Sequence, residues 1–161
     1  MPFLTALFAL TLSALAGGSP DLNGTWSLSS SASDPVEQLL EAQGVGWMER
    51  KAAASMSVTQ TITLAETSAT IAVKTSVKSD TQTLKVDNQT RAVPGEHGTA
   101  QVRHYWGAEG ELITVSSGPS AGGEPMEVTI TRSVSSGQMH QLIEMTIGGE
   151  TIRANRVFTP Q

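Results

Sequence analysis

The 161-residue sequence predicts an all-β chain with one short helix pair inserted near its start. Three observations carry this. From Val58 onward apolar and polar residues alternate with a period of two, as they do along strands. Gly, Ser, Asn and Asp interrupt the alternation at short, regular intervals, the spacing of a sandwich or a barrel. Residues 33–54 (SDPVEQLLEAQGVGWMERKAAA) are the one convincing helical stretch after the N-terminal run. A helix pair set into a curled sheet reads as a lid, and a lid implies something kept inside.

The elements follow in order. Asn23 to Ser29 (NGTWSLS) reads as a first strand. Ser33 or Asp34 is expected to cap a helix, with Pro35 in its first turn and Glu37 close behind. Val36, Leu39 and Leu40 form one apolar stripe, Gly44 ends the helix, and an Ala-rich second helix runs from Trp47 to Ser55. Strands are then expected at Val58–Leu64, Ala69–Val77, Thr81–Val86, Gln89–Val93, Thr99–Trp106, Glu111–Ser116, Met126–Arg132, Met139–Ile147 and Glu150–Phe158. Pro94-Gly95 breaks the run after the fourth of these, and Gly148-Gly149 fits a two-residue hairpin turn. With the first strand the count is ten, and an antiparallel meander of that length must curl or close to manage its edges.

Composition narrows the function. The length suits one domain with a sizeable core. A net charge of -5 and a pI of about 5.1 argue against a nucleic-acid partner, which would need a basic patch, and against attraction to an anionic membrane. There is no cysteine, and His97, His104 and His140 lack metal-ligand spacing, so neither a metal nor another cofactor is expected. Phe3 to Ala16 is an uncharged apolar run, short of the roughly 20 residues that span a bilayer. Ala14-Leu15-Ala16 offers small residues where a signal peptidase reads, although no Lys or Arg precedes the run. An uncleaved tail or a misplaced start codon fits the same residues. The expectation is a cleaved export signal over 1–16, a single β domain over 17–161 and a secreted or periplasmic product, cytoplasmic if the signal is not used.

The last hairpin fixes which way side chains face. Across Gly148-Gly149, Met139, Gln141, Ile143, Met145, Ile147, Ile152, Ala154, Arg156 and Phe158 share one face, which is the inner one. In the preceding strand Met126, Val128, Ile130 and Arg132 share a face. Two arginines therefore continue apolar stripes, on strands that flank a third and lie within roughly 10 Å of each other. An inward Arg is costly unless paired, and Glu150 is the one inward carboxylate these strands offer. The pattern fits two roles equally. The arginines hold the anionic head of a ligand through bidentate hydrogen bonds, or they reach solvent at the barrel rim.

Gly24-Thr25-Trp26, followed by Leu39 to Ala53 (LLEAQGVGWMERKAA), resembles the fatty-acid-binding protein family, the intracellular lipid-binding branch of the calycins. Members open on a G-T-W strand and carry a helix-turn-helix close to A-x-G-V-G-F-x-x-R-K. Ala42, Gly44, Val45, Gly46, Arg50 and Lys51 match in register, with Trp47 for the aromatic, and weaker similarity covers the rest of the chain after residue 16. The resemblance implies a ten-stranded antiparallel up-and-down barrel with a helix-turn-helix lid, Trp26 at the closed end, and Val36, Leu40 and Val45 at the portal. Thr129-Ile130-Thr131-Arg132 and Arg156-Val157-Phe158 match the family contexts of two head-group arginines, with Phe158 in place of a tyrosine. That replacement removes one hydrogen bond, worth about 0.5–1.5 kcal/mol. The final hairpin and the Pro119–Gly123 loop look enlarged, and most of the family carries no signal.

The function expected on these grounds is non-enzymatic binding and transport of a long-chain fatty acid or similar lipophilic carboxylate by a monomer with no stable membrane insertion. The head would meet Arg132, Arg156 and Gln141, beside Phe158. The tail would lie against Met126, Val128, Ile130, Ile143, Met145, Ile152 and Ala154, each buried methylene contributing about 0.8 kcal/mol. The alternative is an exported interaction or adhesion module that keeps the barrel without carrying lipid. An enzyme ranks third, because no nucleophile-base pair or paired inward carboxylates stand at persuasive positions.

Overall fold

The structure, a computed structural model, describes residues 17–161. The export signal expected over 1–16 lies outside the described residues. Ten antiparallel strands form one curled sheet: β1 (Gly24–Leu28), β2 (Val58–Leu64), β3 (Ser68–Thr75), β4 (Ser79–Lys85), β5 (Arg91–Gly95), β6 (Gly98–Trp106), β7 (Leu112–Pro119), β8 (Pro125–Ser135), β9 (Gln138–Ile147) and β10 (Glu150–Pro160). Their order is β4-β3-β2-β1-β10-β9-β8-β7-β6-β5, so neighbours in sequence are neighbours in the sheet, except that β1 closes onto β10 and β4 and β5 lie at opposite edges. Those two edge strands share no ladder. Pro94 and Gly95 extend β5 instead of ending it, because Pro is tolerated on an edge strand. The β9–β10 register is the one expected, with Ile147 opposite Glu150 and Gln141 opposite Arg156.

Helices α1 (Glu37–Ala42) and α2 (Trp47–Ala54) sit between β1 and β2. The expected cap is corrected: Val36, with helical φ and ψ, precedes α1, and neither Ser33 nor Asp34 caps it. Both are spent on β10 instead. Ser33 Oγ accepts from the Val157 N–H (2.8 Å), and Asp34 Oδ2 accepts from the Asn155 N–H (2.8 Å). The motif residues of the turn each have a local task. Gly44, at φ +79°, donates to the Glu41 carbonyl while Val45 donates to that of Leu40, the paired closure of a glycine-ended helix. Arg50 Nη1 donates to the Val45 carbonyl (2.9 Å), and Lys51 meets Glu37 at 2.7 Å, so α2 is tied back to α1.

The interior has two apolar layers. At the closed end, Leu22, Trp26, Ile62, Leu112, Met139 and Phe158 pack together, and Trp26 Nε1 donates to the Leu22 carbonyl (3.0 Å). Under the lid, Leu39 of α1 packs on Met145 and Ala154, with Met126, Val128, Ile143 and Ile152 around them. Strand register places a polar row between the layers. Val134–Met139–Phe158 lies on the closed side, Ile130–Ile143–Ala154 on the lid side, and Arg132–Gln141–Arg156 between them.

Candidate functional site: a polar row between two apolar layers

Arg132 is the deepest charge in that row, at 9% exposure. Its Nε donates to Gln60 Oε1 of β2 (3.2 Å), across the barrel interior. Gln60, itself buried, passes the interaction on, its Nε2 donating to Gln141 Oε1 (2.6 Å). Among the described residues Arg132 forms no ion pair. Burial alone pushes its pKa down to about 10, because a guanidinium removed from water without a counter-charge is destabilised as a cation.

The guanidinium borders a cavity of about 230 Å³ walled by β3, β4, β6, β7 and β8, with Ile71, Ile130, Gln82, Thr114 and His104 among its lining. Gln82, Leu84, His104 and Thr114 also line a wider opening between β4 and β5, of about 770 Å³, so the interior communicates with the gap between the edge strands. His104 Nδ1 lies 2.8 Å from Thr114 Oγ1. Burial and then the nearby Arg132 and Arg91 lower the His104 pKa, partly opposed by Asp87, which favours a neutral imidazole.

Arg156 has a different environment. It is half-buried, and its Nη1 donates to the Asp34 carbonyl (3.3 Å) in the segment leading to α1. Burial lowers its pKa and the Asp34 carboxylate partly restores it. Register thus brings Arg132 and Arg156 onto one row through Gln141, while their side chains take separate partners. Phe158 is 2% exposed and belongs to the closed-end layer with Trp26 and Met139. Of the residues expected along a tail, Met145 and Ala154 are buried beneath Leu39, Met126, Val128, Ile143 and Ile152 surround them, and Ile130 borders the cavity at Arg132. Val36, Leu40 and Val45 are half-buried at the lid, whereas Trp47 is 64% exposed.

Two residues escape sequence reasoning. The helix stripe includes Leu39 without singling it out, yet it is this residue, at 3% exposure, that seats α1 on the sheet. Gln60 carries a signal of the same kind as Arg132. In VTQTITL it continues the face of Val58, Ile62 and Leu64, a polar residue on an apolar stripe.

No family model matches the sequence, and no curated protein does. Solved structures do. The apo form of Caenorhabditis elegans lipid binding protein 8 superposes with a TM-score of 0.71 at 18% identity, over 90% of this chain and 99% of that one. A Schistosoma mansoni fatty acid binding protein in complex with arachidonic acid gives 0.71 at 20% identity, over 90% and 99%. A structure described as the REP1-NXSQ fatty acid transporter gives 0.68 at 21%, over 89% and 98%. At these identities the likeness is one of architecture: the chain has the fold of the fatty-acid-binding proteins, ten antiparallel strands in a curled half-barrel under two short helices.

Proposed function

We propose that the protein is a non-enzymatic carrier of a long-chain fatty acid or a similar lipophilic carboxylate. The observation that carries the reading is Arg132, a buried guanidinium with one amide partner and no ion-pair partner among the described residues, facing a cavity that Asp80 also lines. A carboxylate supplied by a ligand would satisfy the remaining donors with charge-assisted bonds. The apolar layer beneath Leu39 offers the alkyl chain its environment once the lid yields, and Arg156, half-buried on the same row, is a second donor for the head or its approach. The solved structures of like fold named for fatty acids add support. Export, with residues 1–16 removed, belongs to the same proposal, and N-terminal sequencing of the released product checks it.

Delipidated protein is expected to bind a long-chain fatty acid with micromolar affinity or better, read by titration calorimetry and by displacement of a fluorescent lipid probe. Absence of both heat and displacement would sink the carrier reading and favour an interaction module.

A further inference from the structure

We propose that Gln60, which no strand-8 or strand-10 motif includes, sets the head-group selectivity of the site by fixing which end of each amide faces the ligand. The proposal rests on the carrier reading above. A guanidinium has donors and no acceptor. The group that Arg132 Nε meets at 3.2 Å must therefore be the Gln60 carbonyl oxygen, which turns the Gln60 NH₂ toward β9. That NH₂ in turn requires an acceptor, so Gln141 presents its oxygen at 2.6 Å and its own NH₂ is left over. One cation thus orients two amides in series.

The consequence is a row in which both amide oxygens are already engaged, while whole donor groups are left free. Arg132 retains its Nη hydrogens and Gln141 retains its NH₂, opposite Arg156 in the β9–β10 register. Such a row favours an acceptor-only head, a carboxylate, over a hydroxyl, which must also place its own hydrogen. Gln60 need not touch the ligand to do this; it is a positioning residue.

Gln60→Glu inverts the arrangement with almost no change of shape. One oxygen of the introduced carboxylate would take the Arg132 Nε, neutralising the guanidinium internally. The other would take the Gln141 NH₂ and flip that amide, leaving a carbonyl toward the ligand. Both changes penalise an acid and assist an alcohol. The affinity for palmitate should fall at least about tenfold relative to wild type while that for hexadecanol holds or rises. Gln141→Glu, at a half-buried position, keeps the bond from Gln60 and replaces the outer donor by an acceptor, so it should move the ratio the same way. ¹³C NMR of carboxyl-labelled palmitate gives an independent readout. In wild type the bound carboxyl should titrate below its value in the Gln60→Glu complex. Wild-type protein that binds palmitate, with an acid-to-alcohol ratio unchanged in both folded variants, overturns the role of Gln60 alone. Wild-type protein that binds neither lipid overturns the carrier reading and this proposal together.

Discussion

Replacing Arg132 by Met should make the ligand-free protein no less stable while weakening it as a binder of acids. Burial lowers the Arg132 pKa from the ordinary arginine range to about 10, a difference worth roughly 3 kcal/mol of disfavour for the charged form at neutral pH. Met fills much of the same volume without a charge. Against that gain stands Gln60 Oε1, which loses its donor; an unsatisfied buried acceptor costs about 1–3 kcal/mol. The net expectation for Arg132→Met is between neutrality and about 2 kcal/mol of stabilisation. Adding Gln60→Leu removes the orphaned acceptor but also the donor to Gln141 Oε1, whose half-buried amide can turn to water, so it should recover part of the roughly 3 kcal/mol. Urea unfolding of delipidated protein measures this through the midpoint at constant slope. Fatty-acid affinity of the same variant should fall by one to two decades, as loss of a charge-assisted hydrogen bond implies. If the ligand-free Met variant is instead destabilised by more than about 1 kcal/mol, the guanidinium is compensated in the fold and the reasoning fails.

Two further outcomes follow from the geometry. Fatty-acid affinity should persist to about pH 10 and decline above it, as Arg132 loses its charge. The unfolded chain keeps that proton to higher pH, so above about pH 10 the ligand-free fold gains stability as pH rises, and Arg132→Met should weaken both trends in titrations of binding and of urea midpoint, leaving the contribution of Arg156. Leu39→Ala should destabilise the protein by about 2–3 kcal/mol, because Leu39 is the buried α1 side chain that packs on Met145 and Ala154. Stopped-flow release of a fluorescent lipid should also accelerate, and an unchanged rate would place the exit elsewhere, for instance at the β4–β5 gap.

The strands and their register are legible in the sequence because period-two alternation is set by the backbone itself, and Gly148-Gly149 anchors the last hairpin without ambiguity. The cap of α1 is not, for a physical reason. Ser and Asp accept hydrogen bonds equally well from a helix or from a neighbouring strand, and only the tertiary structure shows that the Val157 and Asn155 N–H groups claim them. Pro94 reads as a break because sequence does not reveal that β5 lies at an edge, with no neighbour needing its missing N–H. The facing of Arg132 and Arg156 is legible; their partners are not. Gln60 is 72 residues from Arg132, and no local spacing connects a residue of β2 to one of β8. The separation of Arg156 from Arg132 likewise depends on the Asp34 carbonyl, placed by the irregular segment before α1.

The polar row makes sense when stability and binding are set side by side. The closed-end layer and the layer beneath Leu39 bury apolar surface without help from the charges between them. Arg132 is dehydrated on folding, before any ligand arrives, and its cost is borne by those two layers. A carboxylate entering the cavity therefore loses only its own hydration, not that of its partner, which is the energetic content of a preorganised site. Arg156 lacks this advantage, being half-buried and already engaged by a carbonyl. The two arginines, similar in sequence context, are thus unequal in the fold. Arg132, held by Gln60 and with no ion-pair partner among the described residues, is the one whose charge remains for a ligand to neutralise, although Asp80 lines the same cavity.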